Sequence, residues 1–432
     1  MKELKEAVVV DAIRSPMGRS GWKAETKKGQ FYYMNAHNFS SQVLLTLVKR
    51  VQQKAPDFKP EMIEDVAWGC SAQFAEQGGN LGRINVINAE LPDNIAGWTV
   101  DRYCNAGLQA INAQAQAIMT SCGDIMIAGG TEFMSKYPLG SSIMAIHGDP
   151  KQRRKADFAK IFMKRTVTMG MAAEMIADKW KLPREDLDKF SAWSHQKAVK
   201  AMRDEAWYKK RICPISVEEY DPNTNSKVRD AEGNVKKIIA NKDETPRAIY
   251  LDKPEEANQK LVSLEARFKQ GGVVTAGNSS AIADGTAAIM MMSRERADEF
   301  GLKPMAVIRS MAVSGSDPLL MLEGPIPAQE KALKRAELTM EEMDIIEPNE
   351  AFASPCLAFA KHFEYDVLDP RQNPTGGGIS LGHPIGCSGV AYFTELVWAL
   401  VQLKKKYGIQ TICGGGGVGI ATIVENTKEF KP

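Results

Sequence analysis

Residues 100–114, VDRYCNAGLQAINAQ, place a cysteine where a strand-like segment gives way to a helix. Beyond Cys104, apolar or small positions recur at alternating steps of three and four, the pattern of a helix with one face toward the core. These positions are Leu108, Ile111, Ala115, Ile118 and Cys122. Gly123 is predicted to end the helix. Unpaired N–H groups at a helix start favour a thiolate, so Cys104 is a candidate nucleophile; the alternative is a buried structural cysteine.

The same order of elements recurs about 280 residues later along the chain. In both halves an aspartate before a strand is followed by a cysteine that opens an apolar helix and a glycine that ends it. The pairs, with their separations, are Asp65 and Asp344 (279), Cys104 and Cys387 (283), and Gly123 and Gly408 (285). Strands and helices alternate in each half, which predicts an α/β fold built from a duplicated unit.

Two or three domains or a duplicated unit are expected, because 432 residues exceed what one hydrophobic core usually serves, and the repeat and its insert favour three segments. The N-terminal half spans 1–135 and is completed by about 283–303, and the C-terminal half spans 304–432. Between them a loop domain at 136–282 is indicated by a long irregular insert. It holds two helical stretches, AAEMIADKW and REDLDKFSAWSHQKAVKAM, and a hairpin in SKVRDAEGNVKKII.

The composition is that of a soluble globular protein, with 44% hydrophobic and 25% charged residues. A net charge of +2 gives no field that implies nucleic acid or a membrane surface. Seven cysteines without a CxxC pair indicate reduced thiols, and neither a disulfide scaffold nor a metal site is expected. No apolar run approaches the ~18 residues of a transmembrane helix. With no targeting signal recognised, we expect a cytoplasmic protein.

His383 is the best candidate for a base that would activate a thiol. A nucleophile usually receives its base from a distant segment. Of the five histidines, only His383 lies in a glycine-rich loop, NPTGGGISLGHPIGCSG, just before the helix of the second half. His195 falls in a helical segment and is interpreted as structural. The alternative for His383 is loop packing.

Two further segments carry candidate chemistry. Cys413 ends the strand-like IQTIC and precedes four glycines, whose backbone N–H groups could face a reacting oxygen. A nucleotide loop is the alternative, but the sequence continues as a strand rather than opening a helix. In EPNEAFASP, Asn349 can orient a water or an imidazole, and Glu350 can fix the loop. The alternative for Asn349 is a helix N-cap.

Taken together, the motifs resemble the thiolase family over essentially the full length. The resemblance is closest to the degradative 3-ketoacyl-CoA thiolases of fatty-acid β-oxidation, including the thiolase subunit of bacterial fatty-acid oxidation complexes. The motifs, in family order, are VVVDAIRSPMGRS, DRYCNAGLQA, GGTEFMS, TMGMAAEMIA, VVTAGNSSAIADG, EPNEAFA, GGGISLGHPIGCSG and CGGGGVGIA. The resemblance implies duplicated α/β halves in a layered α-β-α-β-α arrangement, with an inserted loop domain.

The resemblance also implies roles for the candidate residues. Cys104 would be the acylated nucleophile, His383 its activating base and Cys413 the second acid/base thiol. Asn349 would hold a water that, with His383, stabilises the thioester oxygen. The backbone N–H groups of Cys104 and Gly415 would form a second oxyanion hole.

Coenzyme A is implied as a co-substrate, with no permanently bound cofactor and no metal. Arg247 would lie near its adenine or phosphates and Ser280 near its pantetheine. Thr168 and Met169 belong to the substrate-binding segment, and Thr168 stands where biosynthetic members commonly have histidine, which favours a degradative role. After Cys104, Asn-Ala-Gly replaces the common Ser-Ser-Gly, which leaves the preferred acyl length open.

The implied activity is thiolysis of a 3-ketoacyl-CoA. The alternatives are an acetoacetyl-CoA-forming thiolase and, in a different class, a catalytically silent acyl-CoA-binding or scaffold subunit. Condensing enzymes with two histidines fit less well because Cys413 stands at the second position, and a cysteine peptidase leaves Cys413 unexplained. The family implies a homodimer or homotetramer, with an enoyl-CoA hydratase/3-hydroxyacyl-CoA dehydrogenase subunit as an expected type of partner.

Residues 151–165, KQRRKADFAKIFMKR, hold seven basic residues and one acid. Their spacing allows an amphipathic helix. The interpretations left open are a solvated helix packed on the loop domain, attraction of coenzyme A phosphates, and docking of a partner enzyme or membrane surface.

Overall fold

The computed structural model describes residues 4–20, 28–144, 164–221, 224 and 226–431. The predicted helix in the basic segment lies outside these residues except at Lys164 and Arg165. Within the described residues, no helix has both the length and the apolar character that a membrane span needs.

Strands and helices alternate along both halves of the chain. The strands are β1 (Ala7–Arg14), β2 (Gly18–Arg19), β3 (Asp65–Gly69), β4 (Ala96–Val100), β5 (Ile125–Phe133), β6 (Ile215–Glu218), β7 (Lys237–Ala240), β8 (Ala283–Ser293), β9 (Ala306–Gly315), β10 (Ile345–Pro348), β11 (Tyr407–Gly414) and β12 (Val418–Asn426).

The helices are α1 (Ala36–Lys54), α2 (Leu81–Asn88), α3 (Ala106–Met119), α4 (Ser141–Met144), α5 (Met169–Trp180), α6 (Arg184–Arg203), α7 (Glu205–Arg211), α8 (Ile249–Asp252), α9 (Pro254–Val262), α10 (Arg294–Glu299), α11 (Pro325–Ala336), α12 (Ala353–His362), α13 (Gly378–Leu381) and α14 (Ser388–Leu403). Short 3-10 turns lie at Pro60–Met62, Ala75–Gln77, Met321–Glu323 and Gly415–Gly417.

The strand order confirms the duplication. The main sheet runs β10-β11-β12-β9-β1-β8-β5-β3-β4. In the N-terminal half β3 pairs parallel with β5, which pairs antiparallel with β8 and then β1. In the C-terminal half β10, β11, β12 and β9 repeat that order and those directions. The halves join where β1 and β9 pair antiparallel at Val8↔Val307 and Val9↔Ala306.

Helices α3 and α14 pack against each other between the facing sides of the two halves. The approach is close: a Cβ at Gly107 would lie 2.8 Å from the backbone oxygen of Gly386, so a larger residue does not fit. Val9 of β1 belongs to this central core, whereas Val8 packs on the outer side with α1. A third core lies under α11 on the outer side of the C-terminal half. The predicted α-β-α-β-α layering is confirmed.

Both glycines predicted to end these central helices were assigned wrongly. Helix α3 ends at Met119, and Ser121 adopts a left-handed φ of 60°. Cys122 therefore lies beyond the helix and is exposed instead of continuing the buried stripe. In the second half α14 ends at Leu403 and Lys404 takes the left-handed position, with φ 53°. Gly408 is a β11 residue.

The loop-domain elements follow the prediction from sequence. The two predicted helical stretches form α5 and α6. The hairpin turns at 230–234, where Gly233 has φ 85°, and pairing continues into β6 and β7. The limits of the loop domain stay a prediction.

Buried charges tie the loop domain to both halves. Arg14 at the end of β1 contacts Asp243 at 2.8 Å and Glu395 of α14 at 2.6 Å, and all three side chains are nearly inaccessible. Tyr208 of α7 donates its hydroxyl to Asp243 at 3.0 Å. Removing one member of such a buried ion pair typically costs about 3–5 kcal/mol. This network links the loop-domain residues Tyr208 and Asp243 to β1 and α14.

Candidate active site

Cys104 lies in a tight turn that leads into α3. The preceding residue, Tyr103, has a left-handed φ of 52°, uncommon for a residue other than glycine. Its backbone N–H donates to Asp101 Oδ1 at 2.7 Å, and this local bond supports the turn. Cys104 is 5% exposed. This turn therefore places the nearly buried thiol of Cys104 at the start of α3.

Cys413, near the end of β11, comes from the opposite half and reaches the same place. Asn105, beside Cys104, is fully buried; with its amide nitrogen facing β11 it donates to the backbone oxygens of Ile412 at 3.0 Å and Cys413 at 2.9 Å. Besides burial, Cys413 is among the groups that raise the pKa of Cys104. Asn105 thus bridges the backbone of the Cys104 turn to the backbone of β11 at Cys413.

His383 lies in the loop between α13 and α14. Its backbone N–H donates to the backbone oxygen of Ala281 at 2.8 Å. One ring nitrogen, Nδ1, lies 2.7 Å from Ser388 Oγ, and the other, Nε2, lies 3.4 Å from Asn349 Nδ2. Leu381 and Ile385, two residues before and two residues after His383, belong to the buried cluster that contains Cys104. The predicted base and amide are therefore in direct contact.

The buried setting favours neutral forms of the thiol and the imidazole. Burial lowers the pKa of His383 to about 4. Burial, followed by the influence of Cys413 and Glu132, raises the pKa of Cys104 well above its ordinary value, and burial raises the pKa of Cys413 to about 12. The expectation that the helix start favours a thiolate at Cys104 is wrong, because desolvation of the anion outweighs it. A proton must leave Cys104 as it reacts.

Asn349 and Glu350 follow β10. The N–H of Asn349 donates to the backbone oxygen of Thr411 at 2.9 Å, which aligns this loop with β11. Glu350 accepts from Ser194 Oγ at 2.6 Å, Asn373 Nδ2 at 2.7 Å and the N–H of Ile379 at 3.2 Å, so its predicted loop-fixing role is confirmed. Asn349 is not a helix N-cap, since α12 begins four residues later.

The glycine run after Cys413 forms a turn and then a strand. Gly415 opens a 3-10 turn in which Gly416 has φ 73°, and β12 starts at Val418. This excludes the helix-opening geometry of a dinucleotide loop. The ring of Tyr103 covers Gly415, since a Cβ there would lie 3.6 to 3.7 Å from the ring carbons. The backbone of Gly415 is thus placed beside the Cys104 turn.

The predicted coenzyme A residues divide into two groups. Ser280 donates its N–H to the backbone oxygen of Ala351 at 2.9 Å, beside the Asn349 loop, and Met169 packs against the cluster that contains Cys413. Thr168 and Arg247 occupy exposed positions of the loop domain. Thr168 caps α5 by accepting from the N–H of Met171 at 3.3 Å.

His195 supports Arg247 rather than the thiols. Its Nδ1 accepts from the N–H of Arg247 at 3.3 Å, and its ring stacks on Tyr250 with centroids 4.5 Å apart. The structural interpretation of His195 is confirmed.

Sequence reasoning missed Glu132, Asn105 as a bridge, and Ser388. Glu132 is buried and accepts from the N–H groups of Ser71 at 3.0 Å, Ala72 at 3.0 Å and Gly386 at 2.8 Å. It therefore joins the loop after β3 to the loop that carries His383. The sequence signal that could have identified Glu132 is its position in the apolar strand β5, because a buried carboxylate needs several hydrogen-bond donors.

All seven cysteines are free thiols. Within the described part of the chain, no group of three or more His, Cys, Asp or Glu side chains is arranged to hold a metal ion. The chemistry available at this site is that of two thiols, one imidazole, one amide and backbone N–H groups.

Comparison with known proteins gives consistent matches. Residues 7–295 match the family "Thiolase, N-terminal domain" and residues 302–426 match "Thiolase, C-terminal domain". The chain is 39% identical to a 3-ketoacyl-CoA thiolase of Idiomarina loihiensis, covering 98% of this chain and 100% of that protein. It is also 39% identical to a 3-ketoacyl-CoA thiolase of a Marinomonas species, covering 97% and 98%. The crystal structure of the Bacillus anthracis acetyl-CoA acetyltransferase superposes with a TM-score of 0.82 at 30% identity, covering 99% and 100%.

Proposed function

The chain belongs to the thiolase family, and from this premise we propose that it is a 3-ketoacyl-CoA thiolase. It transfers the acyl group of a 3-ketoacyl-CoA to coenzyme A and releases acetyl-CoA. The observation that supports the proposal is the amide of Asn105, which links the Cys104 turn of one half to the backbone of Cys413 in the other, together with a buried, neutral His383 in contact with Asn349. A peptidase-like cysteine site needs one thiol, whereas cleavage of a carbon–carbon bond uses a second one as a proton donor.

The first half-reaction acylates Cys104. His383 Nε2 takes the thiol proton while Sγ adds to the ketone carbon of the substrate. The tetrahedral alkoxide collapses and breaks the C2–C3 bond, which leaves the shortened acyl group on Cys104 as a thioester. The departing two-carbon enolate of acetyl-CoA takes a proton from Cys413.

The second half-reaction transfers the acyl group. The Cys413 thiolate removes the thiol proton of coenzyme A, and the coenzyme A sulfur attacks the Cys104 thioester. The Cys104 sulfur leaves and recovers its proton from His383. Because one product leaves before the second substrate reacts, ping-pong kinetics are expected.

Two oxyanions form at different carbons, so two donor sets are required. Asn349, through a bound water, acts with His383 on the thioester oxygen, and the N–H groups of Cys104 and Gly415 act on the other oxygen. Removing one donor of this kind typically costs about 3 kcal/mol of transition-state stabilisation.

Coenzyme A is a co-substrate in this proposal, and no permanently bound cofactor is needed. We propose that Ser280, beside the Asn349 loop, and Met169, which packs against the cluster that contains Cys413, line the inner part of its site, and that the exposed Arg247 and Thr168 form the outer part. We further propose a cytoplasmic homodimer or homotetramer, with a hydratase/dehydrogenase subunit as a partner.

Substrate length separates the proposed function from its alternatives. Purified protein should be assayed for thiolysis of a four-carbon 3-ketoacyl-CoA and of eight- to sixteen-carbon homologues. The proposal predicts higher kcat/KM for the longer substrates, in line with Thr168. Turnover confined to the four-carbon substrate would identify an acetoacetyl-CoA thiolase. Absence of both turnover and an acyl adduct would leave only the binding-subunit alternative.

A further inference from the structure

We propose that Ser388 is a positioning residue that holds His383 in the Nδ1–H tautomer, so that the Nε2 lone pair can accept the Cys104 proton; this inference rests on the proposed function. Ser388 is the first residue of α14 and is fully buried. Its Oγ lies 2.7 Å from His383 Nδ1 and 3.0 Å from the backbone oxygen of Pro384.

The tautomer follows from which groups can donate. Asn349 presents its amide nitrogen, a donor, to His383 Nε2 at 3.4 Å. With the amide in this orientation, an Nε2–H group would face a donor instead of an acceptor, which is unfavourable. Nε2 therefore carries the lone pair and Nδ1 carries the proton.

Ser388 completes this arrangement. Its Oγ accepts the Nδ1–H proton, and its own hydroxyl proton goes to the Pro384 backbone oxygen. Every donor then meets an acceptor, as buried polar groups require. The opposite orientation, with Ser388 donating to Nδ1, would force the proton onto Nε2 and remove the base.

The turn between His383 and Ser388 sets this geometry. The N–H groups of Cys387 and Ser388 both donate to the Pro384 oxygen at 2.9 Å. The first turn of α14 is thereby closed directly behind the imidazole. The segment from His383 to Ser388 thus forms one hydrogen-bonded turn, which places the Ser388 hydroxyl at His383 Nδ1.

A hydroxyl differs from the carboxylate that often orients a catalytic histidine. It accepts the Nδ1–H bond without adding a negative charge that would stabilise the imidazolium. Two buried carboxylates that hold the loops on this side of the site have other partners, Glu132 with backbone N–H groups and Glu350 with Ser194, Asn373 and Ile379. The imidazole therefore returns its proton readily when the Cys104 sulfur leaves.

The direct test is magic-angle-spinning NMR of protein labelled with ¹⁵N-histidine. The five histidines give few signals, and those absent from a His383→Gln sample identify His383. At pH 7 the native protein should show a protonated Nδ1 and an unprotonated Nε2 at His383. Ser388→Ala should shift the population toward Nε2–H. A native Nε2–H tautomer, or a tautomer that Ser388→Ala leaves unchanged, would overturn the proposal.

Kinetics give a second readout. Ser388→Ala should lower kcat by about tenfold to a hundredfold while KM for coenzyme A stays nearly constant, and Ser388→Thr, which keeps the hydroxyl, should recover most of the rate. Ser310→Ala is the matched control, because Ser310 is also buried and its hydroxyl also donates to a backbone oxygen, that of Ala332. Equal rates for Ser388→Ala and the control would contradict the proposal.

The NMR result does not depend on turnover. A shifted tautomer in a protein without thiolase activity would contradict the proposed function and leave the role of Ser388 standing.

Discussion

Cys104 and Cys387 stand at equivalent positions, each at the start of a central helix in its half of the duplicated fold, yet their surroundings differ. Cys104 is 5% exposed, whereas Cys387 is completely enclosed. A Cβ at Gly130 of β5 would lie 3.1 Å from the Cα of Cys387, which shows how tightly that turn is packed. Burial raises the pKa of Cys387 far above its ordinary value.

The difference lies in the turns that lead to the helices. Before α3, the left-handed Tyr103 opens the chain around Cys104. Before α14, the turn after Pro384 instead places His383 and Ser388 toward the site and buries Cys387. In the proposed mechanism the duplicated scaffold divides the chemistry: the N-terminal half would supply the nucleophile, and the C-terminal half would supply the base, the second thiol and the amide.

The largest effect is expected when each of the two equivalent cysteines is substituted in turn. Cys104→Ser should lower kcat by about 10⁴-fold or more, because a hydroxyl is a far weaker nucleophile here than a thiol. Cys387→Ala should leave kcat within about threefold of the native value, with a loss of about 1–2 kcal/mol from the free energy of unfolding through a small cavity. Thiolysis rates and denaturant unfolding measure both. Comparable losses of kcat in the two variants would refute the proposal that only Cys104 acts as the nucleophile.

The second test removes the base from the C-terminal half. His383→Gln should lower kcat by about 10³- to 10⁴-fold, since the neutral thiol of Cys104 then lacks a proton acceptor. His195→Gln is the matched control; it should change KM for coenzyme A, because His195 supports Arg247, and leave kcat nearly unaltered. Thiolysis kinetics distinguish these outcomes, and a His195 variant with the larger loss of kcat would refute the assignment.

Asn349 tests whether the C-terminal half also supplies an oxyanion donor. Asn349→Ala should lower kcat by about 10²- to 10³-fold with little change in KM. Asn278→Ala serves as a comparison, because the Asn278 amide donates to Asp188 and a backbone oxygen and holds a loop. That variant should lose stability more than kcat. If the Asn349 variant loses mainly stability, its role is structural.

The pH dependence is the mildest test. Burial lowers the pKa of His383 to about 4, so kcat/KM should hold down to about pH 5, rather than fall through the ordinary histidine value of 6.5. The unfolded chain takes up a proton at this histidine below pH 6.5 and the folded chain only near pH 4, so stability falls as the pH drops through that window.

Chemical denaturation at pH 7 and pH 5 measures the effect on stability. The native protein should lose about 2 kcal/mol more of its unfolding free energy between these pH values than His383→Gln does. Equal losses would show that His383 titrates normally.

Hydrophobic periodicity in the sequence correctly predicted the buried face of α3. The stripe of α3 predicted Leu108, Ile111, Ala115 and Ile118 as buried, and all four are inaccessible. The helix ends were missed because Ser121 and Lys404 adopt left-handed backbone that glycine was expected to supply. Local turn preference is weaker than the packing that fixes where a helix stops.

Residue type and motif order were enough to single out Cys104, His383, Asn349 and Cys413 as candidate site residues, and their catalytic roles stay predictions. The ionisation of Cys104 was not, because burial depends on the loops of both halves closing over the thiol. Ser388 and Glu132 were missed for a related reason. Their partners lie in turns whose geometry appears only in the folded chain.

The central claim is that Cys104 alone carries the acyl group. Protein incubated with a 3-ketoacyl-CoA in the absence of free coenzyme A should be digested and its acylated peptide identified by mass spectrometry. One acyl group per chain is expected, on Cys104, formed together with an equal burst of acetyl-CoA. An acyl group on Cys413 or Cys387, or acetyl-CoA release without any acylated cysteine, would contradict it.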